Sequence, residues 1–390
     1  MLSFRQHTPC TMCLVTLCVA AVSVAQSSHP TVEITVLDDE SCLLPSRIHV
    51  KNAAGQPQRA MDLPFWHDHL VCPGRATLEL PPGKYTYEIE RGPEYEQQRG
   101  LFITRKGENP KVSIRLKRIA NLAAAGWWSG ELHVHRSLED IELLMEAEDL
   151  HVAPVITWWN DRNLWNDRES PEKPLLEFDS NRYAHVMAGE DERGGGALIY
   201  LNLDRPLKIS GSTREYPSPM KFLHEARRHP GAWIDIEKPF WWDVPLWLAS
   251  GQIDSIGLAN NHMSRSQMYE SEASGKPRDT KRLPPPKGNG YWSQEIYYHI
   301  LDCGLRIPPS AGSASGVIPN PVGYNRVYVH VGKAFDYERW WNGLKAGRSF
   351  VTNGPLLLCR ANGQMPGHVF AGDRMEVHGH PPPCSSKSAS

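Results

Sequence analysis

The sequence predicts an α/β protein in which a barrel or parallel sheet of strand, helix, strand units follows a small antiparallel β-sandwich. Three observations carry this. Short β-type runs separated by turns occupy residues 31–117, the composition changes at residues 121–126, and from Glu131 onward apolar strand patterns alternate with helical ones.

In the first part, Val32-Glu33-Ile34-Thr35-Val36, Arg47-Ile48-His49-Val50, Tyr85-Thr86-Tyr87-Glu88-Ile89 and Lys111-Val112-Ser113-Ile114-Arg115-Leu116 alternate with a period of two, and Pro81-Pro82-Gly83 marks a turn. His67-Asp68-His69 is the one ligand-like cluster there. Set among Pro64, Phe65 and Trp66 without a strand pattern, it reads as a solvated loop. Packing against the following part or binding a partner is the expected role of this sandwich, with bounds 31–117.

After residues 121–126, Trp127 and Trp128 lead into Glu131-Leu132-His133-Val134-His135. Residues 137–150 predict a helix with a Ser137 and Asp140 start and an apolar face of Ile141, Leu144, Ala147 and Leu150. A strand is expected over residues 152–157, and further strands over 197–203, 232–236 and 256–259. Helices are expected over 221–228 and 293–302, and an exposed Pro-, Lys- and Gly-rich loop over 271–290. The stretch 356–377 resembles the start of a β unit, and residues 359–390 are expected to be a partial or frayed β segment.

Composition bounds the function. The 390 residues, 40% hydrophobic, can bury more than one core. The 42 basic and 44 acidic residues are well mixed, for a net charge of -2, so no broad field favours nucleic acid or an anionic membrane. A small-molecule substrate fits better. Residues 1–25 read as a secretory signal, from Arg5, the apolar run 12–24 and the small residues Ser23-Val24-Ala25, which predicts a mature start near Gln26 and a secreted or periplasmic protein. The run is short for a membrane span, although an anchor that stays attached is the other reading. Cys10, Cys13 and Cys18 lie in this segment. Of the remaining Cys42, Cys72, Cys303, Cys359 and Cys384, Cys42 and Cys72 are either a disulfide or two buried thiols.

The chemistry centres on His133 and His135. Residues two apart on a strand face the same way, so both imidazoles can meet one ion at a barrel mouth, though two solvated histidines would give the same pattern. Gly189-Glu190-Asp191-Glu192 concentrates carboxylates at what reads as a turn, solvated or ligating, and carboxylate with imidazole suits zinc, manganese or iron. Asp235, Glu237 and Lys238 close another strand before Pro239-Phe240-Trp241-Trp242, and Asn260-Asn261-His262 ends a further one.

The run Trp128-Ser129-Gly130-Glu131-Leu132-His133-Val134-His135, the Gly189-Glu190-Asp191 segment, Ala311-Gly312-Ser313, and Gly347-Arg348-Ser349-Phe350-Val351-Thr352-Asn353-Gly354-Pro355, in that order, resemble the PHP-type metallohydrolases of the CehA/McbA-like branch. The resemblance covers residues 126–358. It implies a distorted (β/α) barrel that binds divalent ions and hydrolyses phosphate esters or related bonds. Thr157-Trp158-Trp159 stands where that family has Thr-Asp-His, Lys238 where it has a His before Pro, and Gly312-Ser313-Ala314-Ser315-Gly316 where it has Gly-Ser-Asp-x-His. The resemblance therefore implies a degenerate site with one ion on His133, His135 and Glu190 or Asp191.

Two functions follow. In a hydrolase, Lys238 stabilises an anionic transition state and His262 serves as acid or base. In a catalytically inactive barrel, Trp158, Trp159, Trp241 and Trp242 form a recognition surface for a ligand such as a carbohydrate or for a protein partner, unless these indoles are core.

Overall fold

The computed structural model describes residues 29–209, 212–372 and 375–382. The signal-like segment, the expected start at Gln26 and Cys384 lie outside them. The chain is mixed α/β, with many strands and few helices.

Its first part holds β1 (Thr31–Leu37), β2 (Ser46–Asn52), β3 (Phe65–Trp66), β4 (His69–Cys72), β5 (Arg75–Glu79), β6 (Gly83–Glu90), β7 (Gln98–Thr104) and β8 (Lys111–Arg115). Two sheets result, in the orders β5-β1-β8 and β3-β4-β2-β6-β7. Period-two alternation does the work: Val32, Ile34 and Val36 of β1 are buried between half-buried neighbours, and with Ile48, Leu78 and Ile89 they fill one apolar cluster between the sheets. One expectation is corrected here. The sandwich is not wholly antiparallel, because β1 and β8 run parallel from Glu33 opposite Lys111 to Leu37 opposite Arg115. A parallel pair needs a long crossover, and the other six strands supply it.

Two further expectations change. Cys42 is exposed and Cys72 is buried, and both are free thiols. Cys72 packs in the sandwich core, where burial pushes its thiol up to about 11. Residues 65–72 are a tight hairpin, not a solvated loop, with Trp66 opposite His69 and His67 in the left-handed region at φ 48°. His69 is buried because it lies inside the hairpin's second strand.

The rest of the chain holds β9 (Trp127–Gly130), α1 (Ile141–Glu148), β10 (Ile156–Trp159), β11 (Arg162–Asn163), β12 (Leu175–Asp179), β13 (Arg182–His185), β14 (Ala188–Arg193) and β15 (Gly196–Leu201). It continues with α2 (Pro219–Ala226), β16 (Trp233–Ile236), α3 (Val244–Ala249), β17 (Ser255–Ala259), α4 (Gly288–Asp302), β18 (Pro309–Ala311) and β19 (Arg326–His330). Last come α5 (Tyr337–Lys345), β20 (Ser349–Thr352), β21 (Leu358–Ala361) and β22 (Val377–His380). A sheet of seven strands runs β11-β10-β14-β15-β16-β17-β18, with parallel pairs β10/β14, β16/β17 and β17/β18. Helices α2, α3 and α4 cover it: Phe222, Trp247 and Ile300 pack on Leu198, Tyr200 and Ile236. Helix α1 starts later than residue 137. Its cap residue Asp140 makes no side-chain capping bond, and Asp149 closes it in the left-handed conformation. At the end, β22 pairs with β21 and is exposed, while Leu358 is held in a cluster with Leu122, Trp127 and Tyr328.

Segment 131–135 is extended and bonded on both flanks. On one side Glu131 N–H donates to Val152 O and Ile156 N–H to Val134 O; on the other Leu132 N–H donates to Ala311 O, Ala314 N–H to His133 O and His135 N–H to Ser315 O. It thus lies between the chain entering β10 and the chain leaving β18.

Buried charge joins the two parts. Arg47 of β2 contacts Glu148 of α1 at 2.5 Å and pairs with Glu90 of β6. Arg326, fully buried on β19, approaches the same Glu148 carboxylate at 3.6 Å. Asp149 takes Arg91, Arg118 and Arg182 at 3.1, 2.6 and 3.2 Å.

Candidate metal centre

Alternation in two neighbouring segments builds the site. His133 and His135 project from the same side of 131–135, and their Nε2 atoms lie 3.0 Å apart. Strand β14 then brings Glu190, whose Oε2 is 3.2 Å from His135 Nε2 and 3.6 Å from His133 Nε2. Donor atoms on a tetrahedral ion with metal–nitrogen bonds of about 2.0–2.1 Å sit roughly 3.3 Å apart. The three observed separations bracket that spacing, so these residues fit a divalent ion.

In the metal-free chain burial opposes a charged His133, but the Glu190 carboxylate outweighs it and raises the imidazole, so an ion would enter in exchange for a proton. Burial disfavours a charged Glu190, yet the His133 and His135 imidazoles hold its carboxyl well below the usual range, so it is an anion. Burial lowers His135, which is therefore neutral and has a free lone pair to offer. Glu237 lies 3.6 Å from His133 Nδ1 and is itself held by Trp241 Nε1–H at 3.1 Å, Asn261 Nδ2–H at 2.9 Å and Lys238. A carboxylate behind a ligating imidazole fixes the ring's orientation.

The acidic segment 189–192 is a strand, not a turn; the turn follows it, before β15 pairs back. Glu190 and Glu192 consequently face the cavity, whereas Asp191 faces away and is gripped by both Nε and Nη2 of Arg193. Asp191 is not brought to the ligand cluster. Gly189 makes the strand fit: a Cβ there would lie 1.7 Å from the indole of Trp158, its partner across β10/β14. Trp158 is core, stacked on Tyr200 at 5.9 Å, and of the four indoles only Trp159 and Trp241 line the cavity; Trp242 is exposed.

That cavity has a volume of about 280 Å³ and includes Lys238 and His262 in its wall. Lys238 is buried, paired with Glu237, and its Nζ lies 4.8 Å from the centre of the Trp241 ring. Burial, with Lys238 adding, pushes His262 down to about 3, and its Nδ1 is buried without a hydrogen-bond partner. Sequence reasoning set out Glu237 only as a charge closing a strand; its approach to His133 depends on a pairing more than 100 residues distant and leaves no local signal.

No protein-family model and no curated protein matches the chain. Three solved structures are similar to parts of it. A two-domain protein of Bacteroides vulgatus containing a predicted PHP-like metal-dependent phosphoesterase shares 12% identity over 59% of this chain and 66% of its own, with a TM-score of 0.35. The minor pilin of Streptococcus agalactiae shares 18% over 24% and 46%, with a TM-score of 0.21. The Bacillus anthracis TIE protein shares 21% over 28% and 20%, with a TM-score of 0.18. The chain thus spans less than two thirds of each, and likenesses this distant carry no argument. Among the described residues, no helix is long and apolar enough to cross a membrane.

Asp235, buried on β16, gives a pH signature. Its Oδ1 accepts from Ser310 Oγ at 2.5 Å and from Ser255 Oγ, and burial pushes the carboxyl up to about 7. An unfolded aspartate titrates near 3.9, so between about pH 4 and 7 the folded, metal-free chain holds a proton the unfolded chain has released. Stability contributed by this group is full below that window and falls as pH rises through it. Asp235→Asn keeps an oxygen for both serines without a charge and is expected to melt higher than wild type at pH 8 and equally at pH 4. Melting curves across that range after chelator treatment check it; parallel profiles contradict it.

Proposed function

We propose that the chain is an exported metal-dependent hydrolase of phosphate esters or related bonds, working through a reduced, single-ion site in a distorted barrel of PHP type. The observation that carries this reading is the convergence of His133, His135 and Glu190 at ligand spacing in the wall of a cavity of about 280 Å³. The bonds flanking segment 131–135 support the barrel, since they link the first and last parallel strands through it. The order of the resembling motifs supports the family.

When bound, a zinc, manganese or iron ion supplies Lewis-acid polarisation and water activation. Glu237 lies 3.6 Å behind His133 Nδ1, where its charge favours the ring orientation that turns Nε2 to the site. Lys238, fixed by Glu237, places a cation where a phosphoryl group gains negative charge. His262 lines the cavity with an unpartnered Nδ1, and burial with Lys238 pushes it down to about 3, so it meets a substrate as a neutral hydrogen-bonding group and not as the acid. Trp159, Trp241 and Ile318 wall the space and limit water.

Treatment with a chelator, then resupply of zinc, manganese or iron singly, is expected to abolish and restore hydrolysis of p-nitrophenyl phosphate or its diester. Lys238→Met, which leaves Glu237 its Trp241 and Asn261 donors, is expected to lose turnover while keeping the ion. Metal uptake without hydrolysis of either ester overturns the hydrolase in favour of an inactive barrel that binds a ligand such as a carbohydrate, or a protein partner. Trp159 and Trp241 beside the cavity are the feature that favours that second reading.

A further inference from the structure

We propose that His49, Asp68 and His69 form a second divalent-cation site, of zinc type, inside the N-terminal sandwich. Strands β2 and β4 pair with Arg47 opposite Val71 and Ile48 opposite Leu70, and the same register sets His49 opposite His69 on one face. Their ring centres are 5.3 Å apart. Asp68 sits in the two-residue loop that joins β3 to β4, and the left-handed His67 beside it turns the chain sharply enough to fold the carboxylate back over both rings. Its Oδ2 is 3.2 Å from His49 Nδ1 and its Oδ1 is 3.3 Å from His69 Nδ1. One ligand atom from each of the three residues can be chosen so that all lie within 4.8 Å of one another.

The burial separates this from an ordinary ion pair. His49 is 3% exposed and His69 2%, and Nε2 of His49, on the side of the ring away from Asp68, has no partner in hydrogen-bond geometry. Buried polar atoms without partners are uncommon, because each costs its full desolvation. Burial lowers both imidazoles, His69 to about 3, so the rings are neutral and carry lone pairs, while Asp68 is held far below the usual carboxylate range by the two histidines. Two neutral imidazoles and one carboxylate are a donor set for zinc. Glu88 and Glu90, also near His49, are taken up by Arg265, Arg47 and Gln97. Lys51 touches Asp68 Oδ2 at 3.4 Å but its side chain is 41% exposed, which lets it swing into solvent when a cation enters.

An ion here would brace the catalytic cavity from outside. The same hairpin carries Trp66, whose Nε1–H donates to Ile318 O at 2.9 Å, and Ile318 lines that cavity.

The test uses the full chain carrying His133→Ala and His135→Ala, which removes the first cluster, so it stands or falls apart from the hydrolase reading. Chelator-treated protein is titrated with cobalt(II). The expected result is one tightly bound equivalent with visible absorption of a low-coordinate cobalt site, weakened at least tenfold by Asp68→Asn and lost on adding His49→Gln and His69→Gln. Zinc is expected to raise the melting temperature of the parent and to displace the cobalt. Absence of a tight cobalt equivalent in a parent that still melts cooperatively overturns the proposal, as does unchanged affinity in Asp68→Asn, and neither outcome depends on the folding of the variant that adds His49→Gln and His69→Gln.

Discussion

Replacing His133 and His135 together by alanine is expected to remove one equivalent of divalent metal and to lower ester hydrolysis by about three orders of magnitude. Two of the three ligands go, and the third follows for electrostatic reasons. Glu190 is an anion in a fully buried site only because both imidazoles counter the desolvation. Without them burial dominates and raises the carboxyl's affinity for a proton, and a protonated acid is a poor ligand. Lewis-acid catalysis contributes several kcal/mol to barrier lowering, and each 1.4 kcal/mol is tenfold in rate, which gives the expected size. Elemental analysis and turnover of wild type and the double variant measure both effects. Equal metal content in the two proteins ends the assignment of this cluster.

The second large effect concerns stability. Arg47→Met is expected to destabilise the chain by about 3 kcal/mol, because it takes the nearest cation from the buried Glu148 carboxyl, while the half-buried Glu90 keeps Arg265 at 3.0 Å and Gln97. Arg326 stays 3.6 Å from Glu148 but also serves the Gly323 and Glu148 carbonyls, so it offsets only part of the loss. Adding Glu148→Gln removes one stranded charge and is expected to recover part of the stability, a coupling that a double-mutant cycle in urea resolves. Additive effects of the two substitutions would show that Arg47 and Glu148 do not support each other.

The sequence made local periodicity legible and little else. β1, β15, β16 and β17 lie where alternation or short apolar runs put them, since a strand's burial pattern is written in consecutive residues. The shared face of His133 and His135 was readable for the same reason. Strand 188–193 was not: its carboxylates face a polar cavity, so the usual signature of a buried strand is inverted and the segment looks like a solvated turn. The hairpin around Asp68 was missed because aromatic residues flank a turn of only two residues. The parallel β1/β8 pair and the approach of Glu237 to His133 depend on contacts far apart in the chain, which no window of sequence contains.

The double flanking of segment 131–135 also sets an order of events during synthesis. Its second set of bonds comes from Ala311, Ala314 and Ser315, so nearly 180 further residues must leave the ribosome before His133 and His135 are locked at their final separation. Contacts of such long sequence range form late and slowly. The sandwich core closes with Leu116 and can fold first, while the two histidines wait on an unfinished strand. Free metal that reached them in that interval would meet a loose pair of imidazoles rather than a built site, so an ion at this cluster would be held only after that late pairing has formed.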